Sequence, residues 1–139
     1  MRVDFYILPD SAPQGRLLLA CRLAERAYRE GLTAYIHTAE HAEADVLDDL
    51  LWTFKEQSFV PHARCPAGPD DPSPILIGSG ADCQPMNMLI NLDREIPPFV
   101  DDFERVAEVV DQHPDVLRAS RVRFRAYRER GVEPTTHKL

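Results

Sequence analysis

RVDFYILPDSAPQGRLLLACRLAERAYREGLTAYIH, residues 2–37, decides the fold. Its opening, RVDFYIL (2–8), is β-branched, aromatic and aliphatic enough for a strand, and Pro9 ends it. From Gly15 the period changes. Leu17, Ala20, Cys21, Ala24, Ala27 and Tyr28 fall on one stripe of a helix, and Gly31 stands where a C-terminal cap belongs. LTAYIH (32–37) returns to strand character. EHAEADVLDDLLWTF (40–54) then predicts a second helix, with Val46, Leu47, Leu50, Leu51 and Phe54 inward and the acids outward. Strand, helix, strand, helix in this order favours a layered α/β fold with parallel strands.

Downstream, SFVPHARCPAGPDDPSP (58–74) carries five prolines and little periodicity, so it predicts an irregular surface connection. PILIG (74–78) and MNMLINLD (86–93) read as two more strands, separated by SGADCQP (79–85). PPFVDDFERVAEVVDQH (97–113) reads as a third helix with prolines at its start. Pro114 separates it from a last helix, about Asp115 to Arg130, which Gly131 ends. No internal repeat is present, and the whole of 1–139 is expected to be one domain.

The 139 residues are enough for one real core, and 44% apolar with 28% charged residues is an ordinary soluble composition. Cys21, Cys65 and Cys83 are odd in number and lack CxxC spacing, which argues against a disulfide framework or a zinc site and for free thiols in a reducing cytoplasm. The N-terminus lacks a signal-peptide h-region, and no apolar run approaches a membrane span. Charge is unevenly spread. Residues 118–139 hold seven basic and two acidic side chains, a balance of +5, which leaves −12 on the other 117 residues of a chain with net charge −7. An acidic body disfavours general nucleic-acid binding but not a small anionic partner met by the basic patch.

Several motifs reduce to ordinary structure. His37–His41 spells H-T-A-E-H, matching the H-x-x-E-H of inverted zinc proteases, but His37 ends a predicted strand, so the two imidazoles would not share a helix face, and no third ligand follows. GSG at 78–80 lacks the other glycines and the Lys-Ser/Thr of a P-loop and predicts a turn. No nucleophile–base pair stands out around His62 or Cys65. No cofactor or metal is expected. Trp52 is open between core and interface: the inward stripe of its helix is already supplied, and with Phe59, Val60 and Pro61 it could form an exposed apolar patch. In RVRFRAYRERG (121–131), Arg118, Arg121, Arg125 and Arg128 lie along one helix face beside Phe124. Such a run is commonly a solvated face, yet it holds only arginine, whose fork suits carboxylate and phosphate.

LDDLLWTFKEQSFVPH, with FYIL near the start and RFRAYRERG near the end, resembles the chi subunit of the bacterial DNA polymerase III holoenzyme, a DNA-directed DNA polymerase. The likeness covers nearly the whole chain and is most specific at Leu51, Trp52, Phe59, Val60, Pro61 and His62, then at Arg121, Phe124, Arg125, Ala126, Tyr127 and Arg128. It implies a three-layer α/β sheet with helices on both faces, Rossmann-like but without a working nucleotide site. It implies a cytoplasmic, non-catalytic accessory subunit of the clamp-loader assembly, heterodimeric within a larger complex. One surface (Trp52, Phe59, Pro61) would meet the psi subunit. The other (Arg121, Phe124, Arg125, Arg128) would take the acidic C-terminal tail of single-stranded DNA-binding protein. Strong direct nucleic-acid binding is not expected, nor a membrane. Two rival readings remain: a direct single-strand binder that uses these arginines with Phe124 and Tyr127 as stacking rings, and a nucleotide-dependent enzyme suggested by the α/β order alone.

Overall fold

Leu19, Ala20, Cys21, Leu23, Ala24 and Ala27 give helix α1 (Gly15–Arg29) a buried stripe, and Ala44, Leu47 and Leu51 do the same for α2 (His41–Thr53). Both stripes lie on one face of a seven-stranded sheet, in a core that also takes Ile36, Ile75, Ile77 and Ile90. The opposite face is covered by α3 (Pro114–Glu129), whose Val116 and Tyr127 pack with Val3, Phe5, Tyr35, Leu89 and Val106. The computed structural model describes residues 1–68, 70–80 and 86–139. The three-layer α/β arrangement with helices on both faces is thus as the sequence implied.

The strands are β1 (Arg2–Ile7), β2 (Ala34–His37), β3 (His62–Arg64), β4 (Ile75–Gly78), β5 (Met88–Asn91), β6 (Arg105–Val110) and β7 (Thr135–Lys138). Their spatial order is β3-β4-β2-β5-β6-β1-β7, and every pairing is parallel. The inner strands β2, β4 and β5 are buried along their whole length. Each buried Leu or Ile there contributes roughly 1.5–3 kcal/mol. In β1 the alternation is retained: Val3, Phe5 and Ile7 face the α3 layer, and Tyr6 faces the α1 layer. The C-termini of α1 and α3 end as glycine punctuation demands, with Gly31 at φ +75° and Gly131 at φ +84°. Pro114 opens α3 at its first turn.

Residues 97–113 correct the expected third helix. They form a short 3-10 turn, Val100–Asp102, followed by β6 between β5 and β1. The apolar positions Phe103, Val106, Ala107, Val109 and Val110 mimic a helical period. Their actual cause is a central strand buried on both faces, in which one charged residue, Glu108, interrupts a continuous apolar run. Two further strands escaped sequence reading. β3 lies inside the proline-rich segment taken as irregular, and β7 is a short edge strand after Gly131. Tyr28 is more exposed than its stripe implied.

Gly78 of the GSG triplet closes β4 rather than a phosphate loop. A Cβ there would lie 2.8 Å from the Tyr35 hydroxyl and 3.0 Å from Cys65 Cβ, so the position needs a residue without a side chain. Among the described residues no helix is long and apolar enough to cross a membrane.

Candidate functional site

Two surfaces of opposite character carry the sequence-predicted site residues. The first is aromatic and lies between the C-terminus of α2 and the edge strand β3. Trp52 leaves the inward stripe of α2 and is 49% exposed, and Phe59 is 64% exposed. Their ring centroids are 5.5 Å apart. Val60, between Phe59 and Pro61, is fully buried and anchors the segment. His62 supports the pair from beneath: its ring centroid is 4.3 Å from that of Trp52, while Nδ1 lies 2.7 Å from the Val60 carbonyl oxygen and Nε2 3.1 Å from Asp48 Oδ1. Trp52 is therefore a surface residue on a rigid seat and not core. Pro61 is half-buried beside it.

The second surface is cationic and lies on α3 near the other edge strand, β7. Arg121, Arg125 and Arg128 are exposed and Phe124 is half-buried, its ring 5.3 Å from that of Phe5. Arg121 and Phe124 line a pocket of about 330 Å³ whose floor includes Phe5, Ile7 and Leu117 and whose far wall is Lys138 of β7. Arg125 and Arg128 lie outside that pocket lining, further along the helix. Arg118 is paired with Asp115 at 3.1 Å and Arg128 with Glu133 at 3.4 Å. Among the described residues neither Arg121 nor Arg125 has an ion-pair partner. Lys138, Phe5 and Ile7 were missed by sequence reasoning. A run of β-branched Thr135 and Thr136 after a Gly-Val-Glu-Pro turn was the available signal for the strand that delivers Lys138.

Arg130 pairs with Asp101 at 3.3 Å, and Arg123 has another role. Val116, Ser120, Arg123 and Tyr127 form the buried stripe of α3. Arg123 Nε donates to Glu108 Oε1 at 3.0 Å and Nη1 to the Arg94 carbonyl at 2.8 Å. The Tyr127 hydroxyl donates to Glu108 Oε2 at 2.7 Å, and Asn91 Nδ2 donates to Glu108 Oε1 at 3.0 Å. Glu108 is wholly buried, and burial pushes its carboxyl above the ordinary range against the pull of Arg123. The Tyr127 phenol is pushed up as well, by burial and by Glu108. This network ties α3 to β6 and β5. It also withdraws Tyr127 from any role as an exposed stacking ring.

At the carboxyl ends of β2 and β5, where open α/β sheets bind ligands, a cleft of about 570 Å³ is lined by Glu40, Glu43, Asp93 and Glu95 against Arg16 and Arg94. The excess of carboxylates repels a nucleotide's phosphates. Arg16 is already committed to the Leu92 carbonyl oxygen. The two histidines of H-T-A-E-H separate as their elements dictate: His37 is buried at the end of β2 with Nε2 3.2 Å from Asp93 Oδ2, and His41 is exposed at the start of α2. Burial holds the His37 imidazole below its usual value despite Asp93. Among the described residues no group of His, Cys, Asp and Glu could hold a metal ion. Cys21 is buried, with its thiol pushed up to about 12, and Cys65 is half-buried. Cys83 lies outside the described residues.

Residues 1–135 match the family described as DNA polymerase III chi subunit, HolC. The chain belongs to that family. Among its relatives, the DNA polymerase III subunit chi of Pseudomonas aeruginosa is 44% identical over 141 residues, covering 99% of this chain and 96% of the relative. The subunits of the same name from Haemophilus influenzae and Escherichia coli are 29% and 28% identical, each over 138 residues. They cover 98% and 95% of this chain and 96% and 94% of the relatives. Solved structures extend the likeness of fold well beyond the chi family. T4 UvsW superposes with a TM-score of 0.68 at 9% identity, over 99% of this chain and 41% of that one. The C-terminal domain of the DEAD-box protein Dbp5 gives 0.68 at 12% identity, over 99% and 90%. The chi chain thus shares its α/β sheet architecture with these two proteins, and at these identities the likeness is one of fold alone. As a chi subunit it is an accessory component of the polymerase III holoenzyme in DNA replication.

Proposed function

We propose that this chi subunit is a cytoplasmic, single-domain adaptor without catalysis of its own. It joins the psi subunit, on Trp52, Phe59 and Pro61, to the acidic C-terminal tail of single-stranded DNA-binding protein, on Arg121, Phe124, Arg125 and Arg128. The observation that carries the reading is the position of the two surfaces. Trp52, Phe59 and Pro61 flank β3, and the Arg121–Phe124 pocket is closed by β7, the two opposite edges of the seven-stranded sheet. Six interstrand spacings of about 4.8 Å separate those edges by roughly 29 Å, so both partners fit at once. Arg121 can form a fork with the tail's terminal carboxylate while Phe124, Phe5 and Ile7 accept its last apolar side chain. Arg125 and Arg128 then meet the preceding aspartates. The acidic body repels bare DNA, and only the basic patch offers an anionic segment an attractive surface.

Calorimetry with psi and with a tail peptide tests the adaptor. Phe59→Ala should weaken psi by on the order of 2 kcal/mol and spare the tail. Arg121→Ala should weaken the tail roughly ten-fold and spare psi. Folded variants that lose both partners equally would sink the two-surface reading. Direct binding of a bare oligonucleotide at physiological salt that is lost with Arg121→Ala, with no binding of the tail peptide, would sink the tail assignment and revive the single-strand reading. That rival is disfavoured by the burial of Tyr127 and the packing of Phe124 on Phe5.

A further inference from the structure

We propose that a pocket at the amino-terminal end of β1, β5 and β6 binds a phosphate group. Arg2 and Arg105, the first residues of β1 and β6, are register partners on adjacent parallel strands. Arg26 reaches the same place from the last turn of α1, and His137 from β7. The four side chains line a pocket of about 120 Å³. Two of the arginines are already matched: Arg2 with Asp4 at 3.0 Å and Arg26 with Glu30 at 3.3 Å. Asp4 also receives His137, at 2.8 Å. Arg105 has no ion pair or side-chain hydrogen bond among the described residues, and its Nε is buried without a partner.

That arrangement is unfavourable as it stands. Like charges at facing positions of neighbouring strands repel, and an orphaned buried donor loses its bonds to water. Three arginines against two carboxylates leave one positive charge in the pocket before His137 is counted, in a chain whose net charge is −7. A tetrahedral oxyanion between Arg105 and Arg2 relieves the repulsion. It takes terminal guanidinium donors from both residues in the geometry that arginine offers to phosphate, and the buried Arg105 Nε senses it through the shared guanidinium. The site is separate from the arginine face of α3. Tyr6 and Met88 of this pocket belong to the α1 layer, and Phe5 and Ile7 under Arg121 belong to the α3 layer, on the other side of β1. The proposal therefore does not depend on the adaptor reading.

The probes are inorganic phosphate, thymidine monophosphate and thymidine, each against chloride at matched ionic strength. The readouts are the thermal midpoint of the full chain and the 15N-resolved Nε–H resonance of Arg105. A ligand of the native state raises the midpoint with concentration, but phosphate also stabilises proteins by exclusion. The decisive quantity is thus the difference between wild type and Arg105→Gln, with Arg118→Gln, on the far side of the molecule, as the control that keeps the response. Phosphate should move the Arg105 resonance and raise the wild-type midpoint, and Arg105→Gln should weaken binding by about ten-fold or more. If Arg105→Gln does not fold, Arg2→Gln, whose side chain is 62% exposed, carries the same test. Thymidine monophosphate acting where inorganic phosphate does not would assign the site to a nucleotide phosphate, and the reverse to free phosphate. An unmoved Arg105 resonance with both phosphate probes, or equal midpoint responses in the wild type and both variants, overturns the proposal.

Discussion

Arg123→Ala is the perturbation that most sharply separates the buried arginine of α3 from its exposed arginine face. It removes the Nε–H bond to Glu108 at 3.0 Å and the Nη1–H bond to the Arg94 carbonyl at 2.8 Å, and it leaves a carboxylate with no exposed surface facing only the Tyr127 hydroxyl and Asn91 Nδ2. Breaking a buried pair by deleting one partner costs about 3–5 kcal/mol. For a domain of this size that lowers the thermal midpoint by roughly 10–20 °C. The cost is also pH-dependent, and its sign follows from the carboxyl. Burial already raises Glu108, and removing the guanidinium raises it further. A carboxyl with a raised native value contributes stability that is present below its ordinary range and lost as pH rises through the native value. The gap between wild type and Arg123→Ala should therefore be wider at pH 8 than at pH 5. Urea unfolding followed by far-ultraviolet circular dichroism at the two pH values measures both quantities. Arg121→Ala, on the exposed face, should stay within about 0.5 kcal/mol of wild type. Replacing Glu108, Arg123 and Tyr127 together by Leu, Met and Phe should recover most of the loss, since the ion leaves with two of its donors and Asn91 Nδ2 keeps the Glu95 carbonyl at 3.2 Å. An Arg123→Ala protein within about 1 kcal/mol of wild type, with no change of the gap between the two pH values, would refute the reasoning.

Three other outcomes can be checked with the same tools. Gly78→Ala should cost about 1–3 kcal/mol by overpacking against the fully buried Tyr35, seen as a lower urea midpoint at unchanged slope; a neutral variant would mean that Tyr35 is free to shift. Burial holds His37 below its ordinary value of 6.5, so the unfolded chain takes up the proton first and native stability should fall as pH drops through and below that value, with no such loss above it. His37→Gln should flatten this part of the stability–pH curve, and an unaltered slope would remove His37 as its source. Lys138→Gln should weaken tail-peptide binding by about three- to ten-fold and reduce its salt sensitivity while leaving the urea midpoint in place, because Lys138 closes the Arg121 pocket from an exposed edge strand.

The parts of the molecule that were legible in the sequence are those whose signal is local. A helix such as α1 declares itself through a stripe within its own residues and a glycine after them. The exposed arginines of α3 could be placed on one face for the same reason, and Trp52 could be recognised as surplus to the stripe of α2. What was not legible depends on residues far apart in the chain. β6 looks helical by itself because a strand buried on both faces has no alternation to display, and the residue that breaks its apolar run, Glu108, makes sense only beside Arg123, fifteen positions later. Arg123, left off the face of Arg118, Arg121, Arg125 and Arg128, has no evident role until Glu108 is placed in the sheet. The two gaps are one. Had 105–110 been recognised as a strand, its lone buried acid would have demanded a partner, and the i, i+4 pair of Arg123 and Tyr127 on the otherwise core-facing side of α3 was the available answer. The same dependence governs the pocket beside Arg121. Its cationic wall was readable from the helix alone, but its floor comes from β1 and its far wall from β7, so the size and chemistry of what it can hold are set by strands separated from the helix by more than a hundred residues in one case and by a turn in the other. The proposed tail site needs an apolar floor beneath its charge run. The fold places such a floor beside Arg121 and Phe124, while Arg118, with its own acid at Asp115, remains a solvated residue of the same helix.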